Sequence, residues 1–539
     1  MPQRKHTTPQ NSPARQARQW WKTHINAGEY VISPVRAPSA GVARVLRQDD
    51  LVYQVAGGRV WILTHHRPTD GRTLFLSNYW PVVALVLEHY APAAIVGLDA
   101  VRLHLGDFAP PTLIHANHTA NLSEYTLKLD AEFELHLRPR PGVTTRIVQL
   151  DGPSGSTLPV LAPPALLLTL DEPQLIAGIE PISAWLRHLT LREADVREAA
   201  EENPRPIRLQ RLADLAGGLG NEPLRRLLDS AARATSEHAA PPARTGVGTR
   251  IIIPPVLLSA HAGGGSPWVD AQMMRLARQT READALIGAE AVALPTFAFR
   301  RLAANARQSK VFDAYHSTTM EGYRISPEIA EAIVRGDAMV DATQDAKSLE
   351  AAMAVQGYSK AFDDVLELAA ARALITGGVI LDLYEALYRP SVEARIVEPH
   401  DLRRWRNGPV TLRGWRHVPP NYKKIDDLIS GLVTFAARTD VAAITRALLV
   451  HLEFVTVHPF YDGNGRLGRL LMNLVLLSAG YPWVTIRSDE RIPFFSSIER
   501  AQVEDDTRPF IEFLWHLIRR ATADLAAAPA TRSRSDRRK

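Results

Sequence analysis

The sequence predicts a multidomain chain, with a mixed α/β N-terminal half followed by an all-α C-terminal half. Three observations carry this. The 539 residues exceed what one core holds, and length alone suggests about three domains. Short β-branched runs mix with helical patterns up to about residue 170, whereas from Asp270 onward the apolar spacing is helical almost to the end. Between the halves, residues 236–268 are punctuated by Pro241-Pro242, Pro254-Pro255 and Gly263-Gly264-Gly265-Ser266-Pro267, which reads as a linker.

In chain order, residues 1–19 are polar and basic and read as a disordered tail. Leu51 to Val55 and Arg59 to Leu63 flank Gly57-Gly58 and read as a hairpin, either the wing of a winged-helix module or a plain small β-element. Pro81 to His89 has helical spacing. Ile95 to Gly106 reads as a strand end, a glycine turn and a short helix. Thr112 to His115, Tyr125 to Asp130 and Glu132 to Leu137 read as strands. Helical patterns return from Ile182 to Glu201 and, after Pro204 and Pro206, from Leu209 to Ala234, so residues 20–235 form the α/β region. Ile251-Ile252-Ile253 reads as a strand or docking segment within the linker. Helices are expected at Asp270 to Gly288, Thr296 to Tyr315, Ser326 to Arg335, Ala346 to Ala371, Gly378 to Tyr388, Tyr422 to Arg438, Val441 to Val457, Arg466 to Leu477 and Thr507 to Ala527. These divide into a helical segment at 269–345, a core at 346–525 and a second disordered basic tail at 526–539. No internal repeat is evident.

Composition narrows the classes. There is no cysteine, which excludes disulfides and thiolate zinc sites and suits a reducing cytoplasm, the expected location. The N-terminus has charge but no apolar core of a secretory signal, and no run approaches the ~20 apolar residues of a membrane span. The net charge is +5, but residues 1–19 and 531–539 together hold +8, leaving −3 for everything between them. The high isoelectric point belongs to the ends, and the body carries no nucleic-acid footprint.

The chemistry is concentrated in His458 to Arg469, HPFYDGNGRLGR. Gly463-Asn464-Gly465 makes a turn nearly free of side chains, where backbone N–H groups can approach an anion. The helical run that follows places this turn at a helix N-terminus, which favours phosphate. Arg466 and Arg469 are three apart and share a helix face, so they can clamp one anion. Asp462 precedes the turn, and a carboxylate beside phosphates suits Mg²⁺, which takes one or two protein oxygens and fills its shell from phosphate and water. His458, at the end of an apolar helix and before Pro459, can accept a proton near neutral pH. Taken singly these features are ordinary: a helix-end histidine, a turn, a solvated face. Their order and spacing together are what carries the reading.

The same residues resemble the signature of the Fic family, His-Pro-Phe-x-[Asp/Glu]-Gly-Asn-Gly-Arg-x-x-Arg, at every specified position. The resemblance covers about residues 300–520 and implies an all-α Fic core. It also implies transfer of AMP from ATP, the co-substrate, to a Ser, Thr or Tyr hydroxyl of a target protein. His458 would deprotonate the hydroxyl and Asp462 would hold Mg²⁺. Gly463, Asn464 and Gly465 would form the anion nest, Arg466 and Arg469 would meet the β- and γ-phosphates, and Phe460 would anchor the loop. Another phosphate-bearing donor stays open, because the loop reads phosphates rather than bases. The phosphotransferase branch is disfavoured, since its signature has Lys where this chain has Gly465.

Three further segments extend the resemblance. His316 to Gly322 (HSTTMEG) is similar to the family's inhibitory motif, with Ser317 and Glu321 on one helix face; a bidentate Glu321–Arg469 pair would withdraw that guanidinium from the γ-phosphate. Leu412 to Val418, with Trp415, Arg416, His417 and Val418, resembles the target-docking flap, which pairs with its target as a strand. Phe494 and Phe495 occupy the place of an aromatic pair near the adenine. Separately, Gly97 to Gly106 and the stretch Leu215 to Leu228 loosely resemble AbiEi-type antitoxin or regulator proteins, which contain a DNA-binding winged helix. The expectation is therefore a protein adenylyltransferase autoinhibited by Glu321, with self-modification, DNA contact by the N-terminal half and a homodimer as further associations, and no membrane. The alternative is a DNA-binding regulator or phage-defence module whose Fic-like domain senses nucleotide.

Overall fold

The computed structural model describes residues 12–64, 70–119, 123–140, 146–170, 174, 178–236, 266–337, 346–398, 402–410, 412 and 414–528. Of the expected tails at 1–19 and 526–539, residues 1–11 and 529–539 lie outside them, as do most of the linker and the Ile251-Ile252-Ile253 segment, while residues 526 and 527 end the last helix. The chain forms two compact units, one of residues 1–259 with Thr411–Val418, the other of residues 260–410 and 419–539.

In the first unit, α1 (Pro13–Asn26) corrects the expectation of a disordered tail as far as residue 19. Ser12 caps it by accepting from the Arg15 N–H, Pro13 suits the first turn, and Ala17 and Trp21 bury against Ile32, Val42, Leu46 and Trp61. That apolar face was outweighed in the sequence by surrounding Arg and Gln. With α1 go β1 (Val31–Ile32), α2 (Ala40–Gln48), β2 (Val52–Val55) and β3 (Val60–Leu63), in a sheet of order β1–β3–β2. The expected hairpin is β2–β3, with Val52 opposite Leu63 and Val55 opposite Val60; Gly57 and Gly58 supply the positive φ of its turn.

Next come α3 (Gly71–Ser77), α4 (Tyr79–His89), β4 (Ala93–Ile95), α5 (Gly97–His104), β5 (Leu113–His118), β6 (Tyr125–Asp130), β7 (Phe133–Pro139), β8 (Ile147–Asp151) and β9 (Thr157–Leu161). The sheet order is β6–β7–β5–β4–β9–β8, with β5/β7 and β4/β9 parallel. Helices α6 (Pro163–Leu167), α7 (Ile179–His188), α8 (Glu193–Glu202), α9 (Pro206–Gly218) and α10 (Glu222–Ser236) complete the unit. The single helix expected from 182 to 201 is two, α7 and α8, and no glycine or proline marks the break. The helix expected from 209 to 234 is broken at Gly220 (φ +83), beside Asn221, whose amide donates to the carbonyls of Leu186 and Leu189.

The second unit is all-helical among its described residues: α11 (Pro267–Ala293), α12 (Phe299–Met320), α13 (Pro327–Arg335), α14 (Ala346–Ala370), α15 (Gly377–Glu393), α16 (Ile425–Ala436), α17 (Ala443–Val457), α18 (Asn464–Ser478), α19 (Arg491–Val503) and α20 (Arg508–Ala527). The expected 269–345 segment and 346–525 core thus belong to one compact unit. Helices α17 and α18 are buried on nearly all sides, as helices without a polar face must be. The loop between them, 458–463, is set by these two rigid elements. No helix among the described residues is long and apolar enough to cross a membrane.

Candidate functional site: the loop between α17 and α18

His458 ends α17 in the left-handed conformation (φ +51), its N–H bonded to the Phe454 carbonyl. A non-glycine residue held there is strained, and the cost is borne by a rigid surround. Arg406 supplies part of that surround: its Nε donates to the His458 carbonyl at 2.8 Å and its backbone N–H to the Pro459 carbonyl at 2.8 Å. Burial lowers the Arg406 pKa to about 10, so it is still a cation at neutral pH. Phe460 is buried and stacks flat on Tyr384, with centroids 3.6 Å apart. The Asn464 amide closes the loop, accepting from the Phe460 N–H at 3.0 Å and donating to the Phe460 carbonyl at 2.9 Å. Gly463 (φ +80) caps α18, and a Cβ there would sit 2.8 Å from the Tyr388 ring. At Gly465 a Cβ would meet Glu321 Oε1 at 2.2 Å.

The charged groups converge on this turn. The half-buried His458 ring has Nδ1 3.3 Å from the Val455 carbonyl, which favours the Nδ1–H tautomer and leaves Nε2 its lone pair. Arg466 is fully buried; its Nη2 donates to the Tyr388 hydroxyl at 2.7 Å and lies 3.3 Å from Asp462 Oδ2. Its guanidinium lies 5.1 Å from the ring centroids of both Tyr323 and Tyr388. The Tyr388 hydroxyl donates to Asp462 Oδ2 at 2.5 Å, and the Tyr323 hydroxyl does so at 3.2 Å. Partial burial would raise the Asp462 pKa, but Arg466, the two hydroxyls and the Gly463 N–H outweigh it and hold the carboxyl below its usual range. Its side chain is 56% exposed, so water screens part of that effect.

Arg469 is engaged from α12. Its Nε donates to Ser317 Oγ at 2.8 Å, and its Nη2 to the Ser317 carbonyl at 2.9 Å and to Glu321 Oε1 at 2.8 Å. The contact with Glu321 therefore uses a single Nη2–Oε1 bond rather than the expected fork–fork pair, and the buried Nη1 has no hydrogen-bond partner among the described residues.

Two of the expected segments have surroundings the sequence did not indicate. Phe494 is fully buried among His451, Phe510 and Phe513, whereas Phe495 is half-buried with Arg491 4.6 Å from its ring centroid. The flap expected at Trp415, Arg416, His417 and Val418 forms no strand among its described residues and belongs to the first unit, with Arg416 and His417 buried and the Arg416 guanidinium over the Phe133 ring. Sequence reasoning missed Tyr388, Tyr323 and Arg406. Tyr323 follows Gly322 directly and could have been found as an aromatic abutting the Ser317–Glu321 segment. Nothing in the spacing marks the other two.

The turn at the start of α18 is flanked by an imidazole, a carboxylate and two buried arginines, and residues 376–476, which contain it, match the Fic/DOC family. Among curated proteins, a protein adenylyltransferase Fic from Drosophila mojavensis is 31% identical over 189 residues, 34% of this chain and 37% of that one. A protein of the same name from Nematostella vectensis is 30% identical over 209 residues, 37% of this chain and 45% of that one. The chain thus spans less than half the length of these relatives. Among solved structures, a Fic domain containing signaling protein from Bacteroides thetaiotaomicron aligns with a TM-score of 0.38 at 18% identity, over 46% of this chain and 95% of that one.

Proposed function

We propose that this chain is a protein adenylyltransferase that moves AMP from ATP to a hydroxyl side chain of a protein, and that its own α12 restrains it. The observation that carries the reading is the convergence of His458, Asp462, Arg466 and Arg469 on the start of α18. Such chemistry needs little covalent help and much positioning and charge compensation, which is what these groups offer. Nε2 of His458 takes the proton of the target hydroxyl. The hydroxyl oxygen forms a bond to the α-phosphorus of ATP as the α–β bridging bond breaks, and pyrophosphate leaves. The first-turn N–H groups of α18 and the two guanidinium groups hold the phosphate oxygens.

Asp462 fits Mg²⁺ on donor chemistry. It is a single accessible carboxylate kept ionised, and no cluster of three or more metal-ligating side chains occurs among the described residues, so phosphate and water would complete the shell. When bound, the ion would neutralise charge on the phosphates.

What supports the restraint is the engagement of Arg469 by Ser317 and Glu321, which ties Nε and Nη2 of the guanidinium that would otherwise face a γ-phosphate. The test is incubation of the full chain with ATP labelled on the α-phosphate. Label on protein that disappears in His458→Ala supports the enzyme; label of equal strength in that variant refutes it.

A further inference from the structure

The sheet of the first unit has a polar face that is roofed over. On β5, Ile114, Ala116 and His118 are buried on one side, while His115 and Asn117 alternate to the other. On β7, Phe133, Leu135 and Leu137 are buried, and His136 and Arg138 alternate to the other side. The parallel register sets His115 beside His136 and Asn117 beside Arg138. The two imidazoles stack at 5.8 Å, and Asp99 at the start of α5 accepts from both the backbone N–H of His115 (2.9 Å) and its Nδ1 (3.0 Å). Glu124 holds His136 at 2.8 Å and Arg138 at 3.1 Å.

A cavity of about 280 Å³ opens on this face. Its wall carries four arginines: Arg138 and Arg140 from the end of β7, and Arg205 and Arg208 from the start of α9. Arg208 is anchored by a hydrogen bond to the Leu168 carbonyl. Glu202 is the single carboxylate of the described wall, and it pairs with Arg146 at 3.5 Å. Asn117, Thr169 and Gln174 add neutral donors and acceptors. The first turn of α9 also brings backbone N–H groups and the positive end of a helix dipole to the same place.

We infer that this cavity binds a phosphomonoester of about mononucleotide size. A planar carboxylate is satisfied by one guanidinium fork, whereas several forks around one space match a tetrahedral dianion. The volume lies near the lower end for small-molecule sites, of roughly 300–1,000 Å³, which suits one nucleotide. The phosphate could belong to a free nucleotide or to the 5′ end of a nucleic acid. The site lies wholly in the first unit and stands independently of the adenylyltransferase reading.

The test is calorimetric titration of the full chain with AMP, with adenosine, and with a short oligonucleotide bearing a 5′-phosphate or a 5′-hydroxyl. Saturable AMP binding is expected, with adenosine failing to compete, and Arg140→Gln/Arg205→Gln should weaken it about tenfold or more through loss of two charge-assisted contacts. Both arginines are exposed, so the fold should tolerate the change. Should it not, Arg140→Lys/Arg205→Lys keeps the charge, loses the fork, and should bind with intermediate affinity. Competition by the 5′-phosphorylated oligonucleotide alone assigns the ligand to a nucleic-acid end; its failure assigns a free nucleotide. The inference is overturned if AMP shows no binding component, or only one that these substitutions leave unchanged.

Discussion

The hydroxyl of Tyr323 reaches Oδ2 of Asp462 at 3.2 Å, from a position two residues beyond Glu321. The segment at the end of α12 therefore holds both ends of the candidate phosphate site. Glu321 and Ser317 take Arg469, and Tyr323 takes the carboxylate that would meet a metal ion. Gly322 (φ +93) provides the reversal that lets Glu321 and Tyr323 point to different targets.

The first prediction separates these two contacts. Tyr323→Phe keeps the ring near Arg466 and removes only the hydroxyl. With a half-exposed carboxylate as partner, the lost bond is worth ~1 kcal/mol, so Mn²⁺–ATP should bind roughly fivefold more tightly than to wild type. Calorimetry in Mn²⁺ reads this without reference to turnover. Equal affinities would show that Tyr323 serves only as packing.

The second concerns the arginine clamp. Glu321→Gly removes the carboxylate and frees Nη2 of Arg469 for phosphate. Auto-labelling should rise on the order of 100-fold, the scale expected when a misplaced group returns to alignment. Ser317→Ala deletes the acceptor for Arg469 Nε but leaves Glu321 in place, so a smaller rise is expected. If the serine variant matched the glutamate variant, Glu321 would not be the main restraint.

Much of the second unit was legible because its helices carry long apolar repeats. Helices α14, α15 and α17 fall within a few residues of the spans read from spacing, as does the motif helix α18. The loop was legible for a different reason: Asp462, Gly463 and Arg466 are close in sequence, so their chemistry is local. What was not legible is non-local. Tyr388 lies on α15, far from the loop in sequence, and only the packing of α15 against α18 brings its hydroxyl between Asp462 and Arg466. Arg406 reaches the His458 carbonyl from a stretch without regular structure. The strand β1 has only two residues, and β9 carries Pro159, which argues against a strand when read from sequence. For Phe494, place in the motif order said nothing about which face of α19 it occupies, and it lies in the core.

A third prediction tests the loop closure. Asn464→Ala removes both bonds to Phe460 and leaves a buried N–H and carbonyl without partners, for a loss of about 2–4 kcal/mol. In a unit of this size that lowers the melting temperature by roughly 5–15 °C. Asn464→Asp restores the acceptor but not the donor and should recover part of the loss. A variant as stable as wild type would mean that the Tyr384–Phe460 stack alone fixes the loop.

The last prediction is a pH dependence. His451 on α17 is fully buried against Gly468 of α18, with Phe494 and Phe510 beside its ring. Burial outweighs the Gly468 backbone contact, which favours the charged form, and with the field of Arg469 pushes its pKa down to about 4. In the unfolded chain the same ring titrates near 6.5. Above that pH neither state binds the extra proton, and the contribution to stability is complete. Between 6.5 and 4 only the unfolded state binds it, so acidification favours unfolding, by at most about 3 kcal/mol once the pH reaches 4. His118, His104 and His316, also lowered by burial, add to the same slope. Urea unfolding at pH 7 and pH 4.5 measures the whole drop. His451→Gln is neutral at both values and should shrink it by about 2 kcal/mol, at some constant cost in packing. A drop of undiminished size in that variant would place the acid sensitivity elsewhere and leave His451 a merely apolar wall.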